Sequence, residues 1–179
     1  RQAARNERRD ATIDFGTNTC TEIILRPYQF CNLSEVVIRV DDSLDSLRRK
    51  VRSATILGTL QATLTDFRYL RKIWSDNIKE EALLGVSLTG IMDHPVMSGR
   101  KSKDGLKYWL QELKKEAIKT NRKWAERLGI SISTAITAVK PSGTVSQLVD
   151  SASGIHPRYS DQYIRRVRAD ARDPLCSVL

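Results

Sequence analysis

The strongest constraint on this chain is a hydrophobic period that switches repeatedly between two and 3.6. Val36, Val37, Ile38 and Val40 form a dense β-branched run suited to a buried strand. Ser43 then precedes Leu44, Leu47, Val51, Ala54, Leu57, Leu60 and Leu64, whose steps of three and four predict a long amphipathic helix capped by that serine. Residues 83–88, ending at Gly90, read as a second strand. A second long helix is predicted over 104–128, where Leu106, Leu110, Leu113, Ala117, Trp124 and Leu128 share a face and Gly129 supplies the stop. Residues 134–139 form a third strand halted by Pro141, and a further strand is expected over 163–167. Strand, helix, strand, helix, strand implies parallel pairing through right-handed crossovers, so the expected fold class is an α/β layer or barrel. No repeat or low-complexity linker interrupts the pattern, and residues 1–179 read as one unit without an internal boundary.

Composition narrows the function classes. A hydrophobic share of 40% provides for a core and excludes wholesale disorder. No apolar run approaches the roughly 18 residues of a membrane-spanning helix, and residues 1–10, with four arginines, do not resemble a signal peptide. That opening stretch reads as a frayed, solvated helix end. The sequence starts at Arg1 without an initiator methionine and reads as an excised segment. Three cysteines, at 20, 31 and 176, do not make a disulfide framework and point to a reducing, cytoplasmic setting. The net charge of +9 keeps a basic phosphate- or nucleic-acid-binding module in play as an alternative to an enzyme. Its contacts would come from Lys114, Lys115, Lys119, Arg122, Lys123 and Arg127 of the second helix and from Arg165, Arg166, Arg168 and Arg172. Glu112 and Glu116, each three before a lysine, favour a solvated face instead.

The densest chemical constellation is Asn18, Thr19, Cys20, Thr21, Glu22. In an extended segment, residues two apart face the same way, which would group an amide, a thiol and a carboxylate. Full extension spreads Asn18 and Glu22 over roughly 13 Å, so a working site requires curvature, for which Gly16 is the expected place. The same residues equally suit an ordinary loop around a buried cysteine. Cys31 follows Pro27, and a tight excursion there returns it toward Cys20. No CxxC spacing exists, and His94 and His156 lack ligand spacing, so no metal site is expected. Cys176 reads as inert. Lys140, Pro141, Ser142, Gly143, Thr144, Val145, Ser146 and Gln147 lead from a strand into a short helical pattern ending at Asp150. Free backbone N–H groups and hydroxyls there suit a phosphate, as they suit a simple capped turn. His156, before Pro157, either reaches substrate or pins its loop.

Taken in order, four motifs resemble the catalytic core of a ribonucleotide reductase large subunit, and most of all the adenosylcobalamin-dependent type. They are Asn18-Thr19-Cys20-Thr21-Glu22, the run from Arg26 through Pro27, Tyr28, Gln29, Phe30 and Cys31 to Val36, Lys140-Pro141-Ser142-Gly143-Thr144-Val145-Ser146, and Ser153-Gly154-Ile155-His156-Pro157. The short interval between Cys20 and Cys31 carries the subtype. The resemblance implies part of a ten-stranded α/β barrel whose central finger loop holds a radical cysteine, Cys20. It implies that Cys20 removes the ribose 3′-hydrogen, that Glu22 serves as general base and that Asn18 binds the sugar hydroxyls. Cys31 would be half of a reducing dithiol whose partner lies upstream, and Ser142, Gly143, Thr144, Val145 and Ser146 would hold the substrate phosphates. The implied cofactor is adenosylcobalamin, and the implied partners are a ribonucleoside triphosphate, a thioredoxin-type reductant and the rest of the barrel. Neither the family's allosteric nucleotide region nor its C-terminal cysteine pair is found in these residues. Thr19 stands where many relatives carry proline.

Overall fold

The computed structural model describes residues 6, 8–164 and 166–178. A small antiparallel hairpin of β1 (Gly16–Thr17) and β2 (Ile24–Leu25) leads into β3 (Asn32–Val37), α1 (Leu44–Gln61), α2 (Lys72–Glu81), β4 (Leu84–Thr89), α3 (Lys103–Leu128) and a single turn, α4 (Val145–Leu148). β3 and β4 pair in parallel from Asn32 opposite Leu84 to Val37 opposite Thr89. The third strand expected over 134–139 reduces to an isolated parallel bridge on the far side of β4. Val86 donates to Ile136 O at 2.8 Å, Ala138 donates to Val86 O at 3.0 Å, and Thr137 bridges Val86 in parallel. The mixed α/β class and the parallel pairing of the three runs thus follow from the period changes.

Alternation sorts the sheet into two faces. Ser34, Val36, Leu84, Val86 and Leu88 face α1 and α3, whose apolar stripes close the core with Leu47, Val51, Ala54, Leu113 and Ala117. Ser43 caps α1 as expected, its side chain accepting from Ser46 N while Ser46 Oγ accepts from Ser43 N. Ser102 caps α3, and Gly129 ends it in the left-handed conformation. On the opposite face lie Leu33, Gly85 and Ala138, and here the hairpin settles. A methyl group on Gly85 would come within 2.5 Å of Leu33 Cδ2 and 3.0 Å of Ile23 Cδ1. The glycine lets Ile23, just ahead of β2, rest almost directly on the strand's backbone.

One helix lies where none is expected, and two further expectations are corrected. α2 was not legible, because only Trp74 and Ile78 mark an inward stripe in ten residues. The described residues of 163–167 are irregular and exposed, so no strand forms there, and Arg165 lies outside the described residues. Most of residues 1–10 also fall outside, but Arg9 is not solvated. It is buried against Glu81, with Nη2 2.9 Å from Oε2, and also donates to Ile24 O at 2.9 Å. Gln29 donates to the same carboxylate at 2.7 Å. This buried cluster fastens the N-terminal turn, the hairpin and the end of α2 together. No helix among the described residues is long and apolar enough to cross a membrane.

Candidate active site

Asn18 closes the hairpin. Its N–H donates to Ile23 O at 3.3 Å, its side-chain oxygen accepts from Ile23 N at 3.0 Å, and Thr21 N donates back to Asn18 O at 2.9 Å. The segment is therefore a tight loop rather than an extended run, and the curvature lies at Thr21, with φ of +61°, rather than at Gly16. A β-branched residue in that region is strained, a cost that the surrounding hydrogen bonds offset. The loop separates its two reactive side chains by environment. Cys20 stands exposed at the tip, which excludes a buried structural cysteine, whereas the Glu22 side chain is wholly covered.

A buried carboxylate requires a partner, and Glu22 finds one in Lys140. The ammonium lies 3.1 Å from Glu22 Oε1 and 4.0 Å from Cys20 Sγ. Lys140 is two residues beyond Ala138, so the pleat carries it to the face on which the hairpin rests. Burial alone would raise the Glu22 pKa. Its own backbone N–H, the Asn18 amide and Lys140 together outweigh burial and hold it below the ordinary glutamate value. The other carboxylate oxygen, Oε2, is buried with no group in hydrogen-bonding geometry.

Cys31 comes from the same face, one residue before β3. Burial, reinforced by the negative charge of Glu22, pushes its thiol up to about 11, with Lys140 acting in the opposite sense. Cys20 and Cys31 are both free thiols. The turn after Pro27 thus brings Cys31 into the electrostatic reach of Glu22 and Lys140. Glu35, two residues further along β3, contributes a buried Oε1 without a partner, and Ser87, opposite it in register, a buried Oγ in the same condition.

The serine and glycine turn begins two residues after Lys140. Ser142 is buried with φ of +53° and an unpartnered Oγ. Ser146 is also buried, and its N–H donates to Ser142 O at 3.3 Å. α4 has only four residues and Thr144 makes no side-chain cap, so the expected capped helix reduces to a turn. Nothing lies within 4 Å of where a side chain on Gly143 would start. The turn opens onto a cleft of about 1290 Å³ lined by Gly143, Ser146, Gln147, Arg158, Tyr163 and Arg166, ample for a nucleotide-sized ligand. Gly154, at φ of +55°, backs the turn, with room for no Cβ because Lys140 O would lie 2.6 Å from it.

Asn18, Cys20, Glu22 and Cys31 therefore converge, and the turn of Ser142, Gly143, Thr144, Val145 and Ser146 neighbours them through Lys140. Lys140 and Glu35 are the residues that motif reading passed over as functional groups. The signal for both was the period of two, which aligns Lys140 with Ala138 and Glu35 with Cys31 and Leu33. His156 turns inward on its own loop, its Nδ1 3.2 Å from Ser153 O. His94 is buried as a structural residue, its Nε2 2.9 Å from Asp42 O and its Nδ1 accepting from Val96 and Met97.

No protein-family model matches the chain. It is 30% identical over 187 residues to the adenosylcobalamin-dependent ribonucleoside-triphosphate reductase of Lactobacillus acidophilus, a match covering 92% of this chain and 25% of the relative. The reductase of the same name from Levilactobacillus brevis is 29% identical over 198 residues, covering 98% of this chain and 26% of the relative. The chain thus spans about a quarter of the length of the relatives it matches. A crystal structure of a B12-dependent (class II) ribonucleotide reductase superposes with a TM-score of 0.62 at 24% identity, over 80% of this chain and 23% of that one. The chain is accordingly a homologue of part of the adenosylcobalamin-dependent ribonucleoside-triphosphate reductases and shares its fold with a segment of the B12-dependent class.

Proposed function

We propose that the chain is a catalytic-core segment of an adenosylcobalamin-dependent ribonucleoside-triphosphate reductase, converting ribonucleotides to deoxyribonucleotides for DNA synthesis. The hairpin is then the finger loop of a ten-stranded barrel, of which the three parallel runs supply a sector. Helices α1 and α3 cover one face of that sector, as the outer wall of a barrel requires, and leave the opposite face to the hairpin. The observation that carries the reading is the meeting of an exposed thiol, a covered carboxylate and a second thiol on that inner face around Lys140, two residues before the serine and glycine turn.

The chemistry follows from what each side chain offers. When bound, adenosylcobalamin supplies a carbon radical by homolysis of its cobalt–carbon bond. The fit to this chain is through Cys20, whose exposed sulfur can be approached from outside the loop. Having given up its hydrogen atom, the Cys20 sulfur takes the 3′-hydrogen atom of the ribose, a transfer between bonds of similar strength. Glu22, held ionised, accepts the 3′-hydroxyl proton as general base. Asn18, whose side-chain oxygen accepts from Ile23 N and whose amide acts on Glu22, hydrogen-bonds the sugar hydroxyls in this reading. The 2′-hydroxyl leaves as water. The two electrons and two protons for the exchange come from a dithiol of Cys31 and an upstream cysteine, which closes to a disulfide. A thioredoxin-type dithiol then reopens it. Glu22 returns its proton to O3′, Cys20 returns its hydrogen to C3′, and both are ready for another cycle. Ser142, Gly143, Thr144, Val145 and Ser146 hold the phosphate end of the substrate.

Replacing Cys20 with serine in the intact protein tests this. Nucleotide reduction should fall to background while substrate still binds; retained turnover would remove the radical role. The basic-module alternative finds less support, since the similar proteins are reductases and Lys115 of its proposed surface is paired with Glu112.

A further inference from the structure

Resting on this proposed reaction and deepening it, we infer that Lys140 is a positioning residue of the same site, tying the hairpin's base and thiol to the strand end that carries the phosphate turn. Its ammonium contacts Glu22 Oε1 at 3.1 Å and Cys20 Sγ at 4.0 Å. Its backbone continues directly into Pro141 and Ser142, and its carbonyl is packed against Gly154. A single residue therefore touches both reactive side chains of the loop and sits at the root of the turn. The connection matters because β1 and β2 are only two residues each, and their ladder alone would let the loop tip swing. A thiol and a carboxylate acting on neighbouring atoms of one sugar must keep their places relative to its phosphates within fractions of an ångström.

The contact also fixes a protonation state. Lys140 is raised above the ordinary lysine value, burial working against the shift and the Glu22 hydrogen bond and charge overcoming it. Glu22 is lowered in part by the same contact. The groups acting on the pair are Cys20 from the loop, Cys31 from just ahead of β3, Glu35 from β3 and Asn18 from the hairpin's neck. Without the ammonium, the covered carboxylate retains its burial and loses a cation. Its pKa must rise, and a carboxylate that is protonated more of the time is a poorer acceptor of the 3′-hydroxyl proton.

The test compares Lys140→Met and Lys140→Arg with the unaltered protein, in the intact enzyme, alongside Cys20→Ser. Lys140→Met should lower kcat by roughly 100-fold with little change in KM, and should move the acid limb of the kcat profile toward neutral pH. Lys140→Arg, which keeps a cation, should restore the limb and most of the rate. Titration of the Glu22 carboxylate by ¹³C NMR, with Glu22→Gln identifying its signal, should show the same rise in Lys140→Met without any turnover being needed. A Lys140→Met enzyme with an unmoved acid limb and an unmoved Glu22 titration overturns the inference. If Cys20→Ser also abolishes reduction, only the Lys140 role has failed; if Cys20→Ser remains active, the proposed reaction itself has failed.

Discussion

Two cysteines eleven positions apart in the sequence differ in chemistry when one is half-buried and the other exposed. Burial, reinforced by the charge on Glu22, keeps Cys31 a protonated thiol at neutral pH, with its ionisation pushed up to about 11. Alkylation of Cys31 by iodoacetamide should therefore be slow at pH 8 and continue to accelerate up to about pH 11, as peptide mass spectrometry of the protein across pH would show. In Glu22→Gln one source of the upward push disappears, and the rate at pH 8 should increase. A Cys31 that reacts as fast as a free thiol at pH 8 would contradict the placement of its side chain. Gly154 offers a second test at this scale. A methyl group there meets the Lys140 carbonyl in a backbone region unfavourable to alanine, so Gly154→Ala should cost about 1–3 kcal/mol in urea unfolding and disturb the position of Lys140.

Among the elements, the N-terminal turn, the hairpin and the end of α2 are joined by one buried carboxylate. Glu81 is covered almost completely, is held by Arg9 and Gln29, and lies within 4.0 Å of Arg26. Replacing it with glutamine leaves the Arg9 guanidinium buried without a counter-charge, for which about 3–5 kcal/mol is expected. The loss should appear as a lower thermal midpoint, with the hairpin losing hydrogen-exchange protection first. This scale also shows what periodicity can and cannot convey. Val36, Leu84 and Val86, and the leucine stripes of α1 and α3, announce themselves because each buries one continuous face. α2 does not, since it buries only Ile78 and Glu81, and a buried glutamate carries no hydrophobic signal. At the candidate site, motif order nominates Asn18, Cys20, Glu22, Cys31 and the 142–146 turn. The partnership of Lys140 with Glu22 is a contact across 118 positions, which no local window can contain.

Across the whole molecule, charge is organised to join elements rather than to make a uniform basic surface. Arg48 reaches Glu112 at 2.7 Å and Arg52 reaches Glu116 at 2.7 Å, linking α1 to α3, while Arg158 binds both Asp93 and Asp150. The carboxylates in such links govern acid stability. For Asp42 burial raises the pKa, but Lys50, Ser46 and the Arg39 N–H lower it further, giving a net fall from the ordinary 3.8. Asp93 is likewise lowered, burial being outweighed by Arg158 and the Ala152 N–H. Groups held below their unfolded values add stability that is complete above those values and disappears as pH falls through the folded ones. Unfolding midpoints should therefore be flat from neutrality to about pH 5 and then fall. In Asp42→Asn the midpoint should start lower and decline less steeply below pH 4, a difference that urea titration at several pH values can read.

The seat of the hairpin on Gly85 also makes the height of the loop a quantity set by one absent methyl group. Since Ile23 lies against that glycine and Glu22 is its neighbour, any side chain at position 85 would act as a shim under the loop. The sulfur would be lifted away from the ammonium while the sheet beneath remained in register, which makes position 85 a place where reach could be altered independently of reactivity.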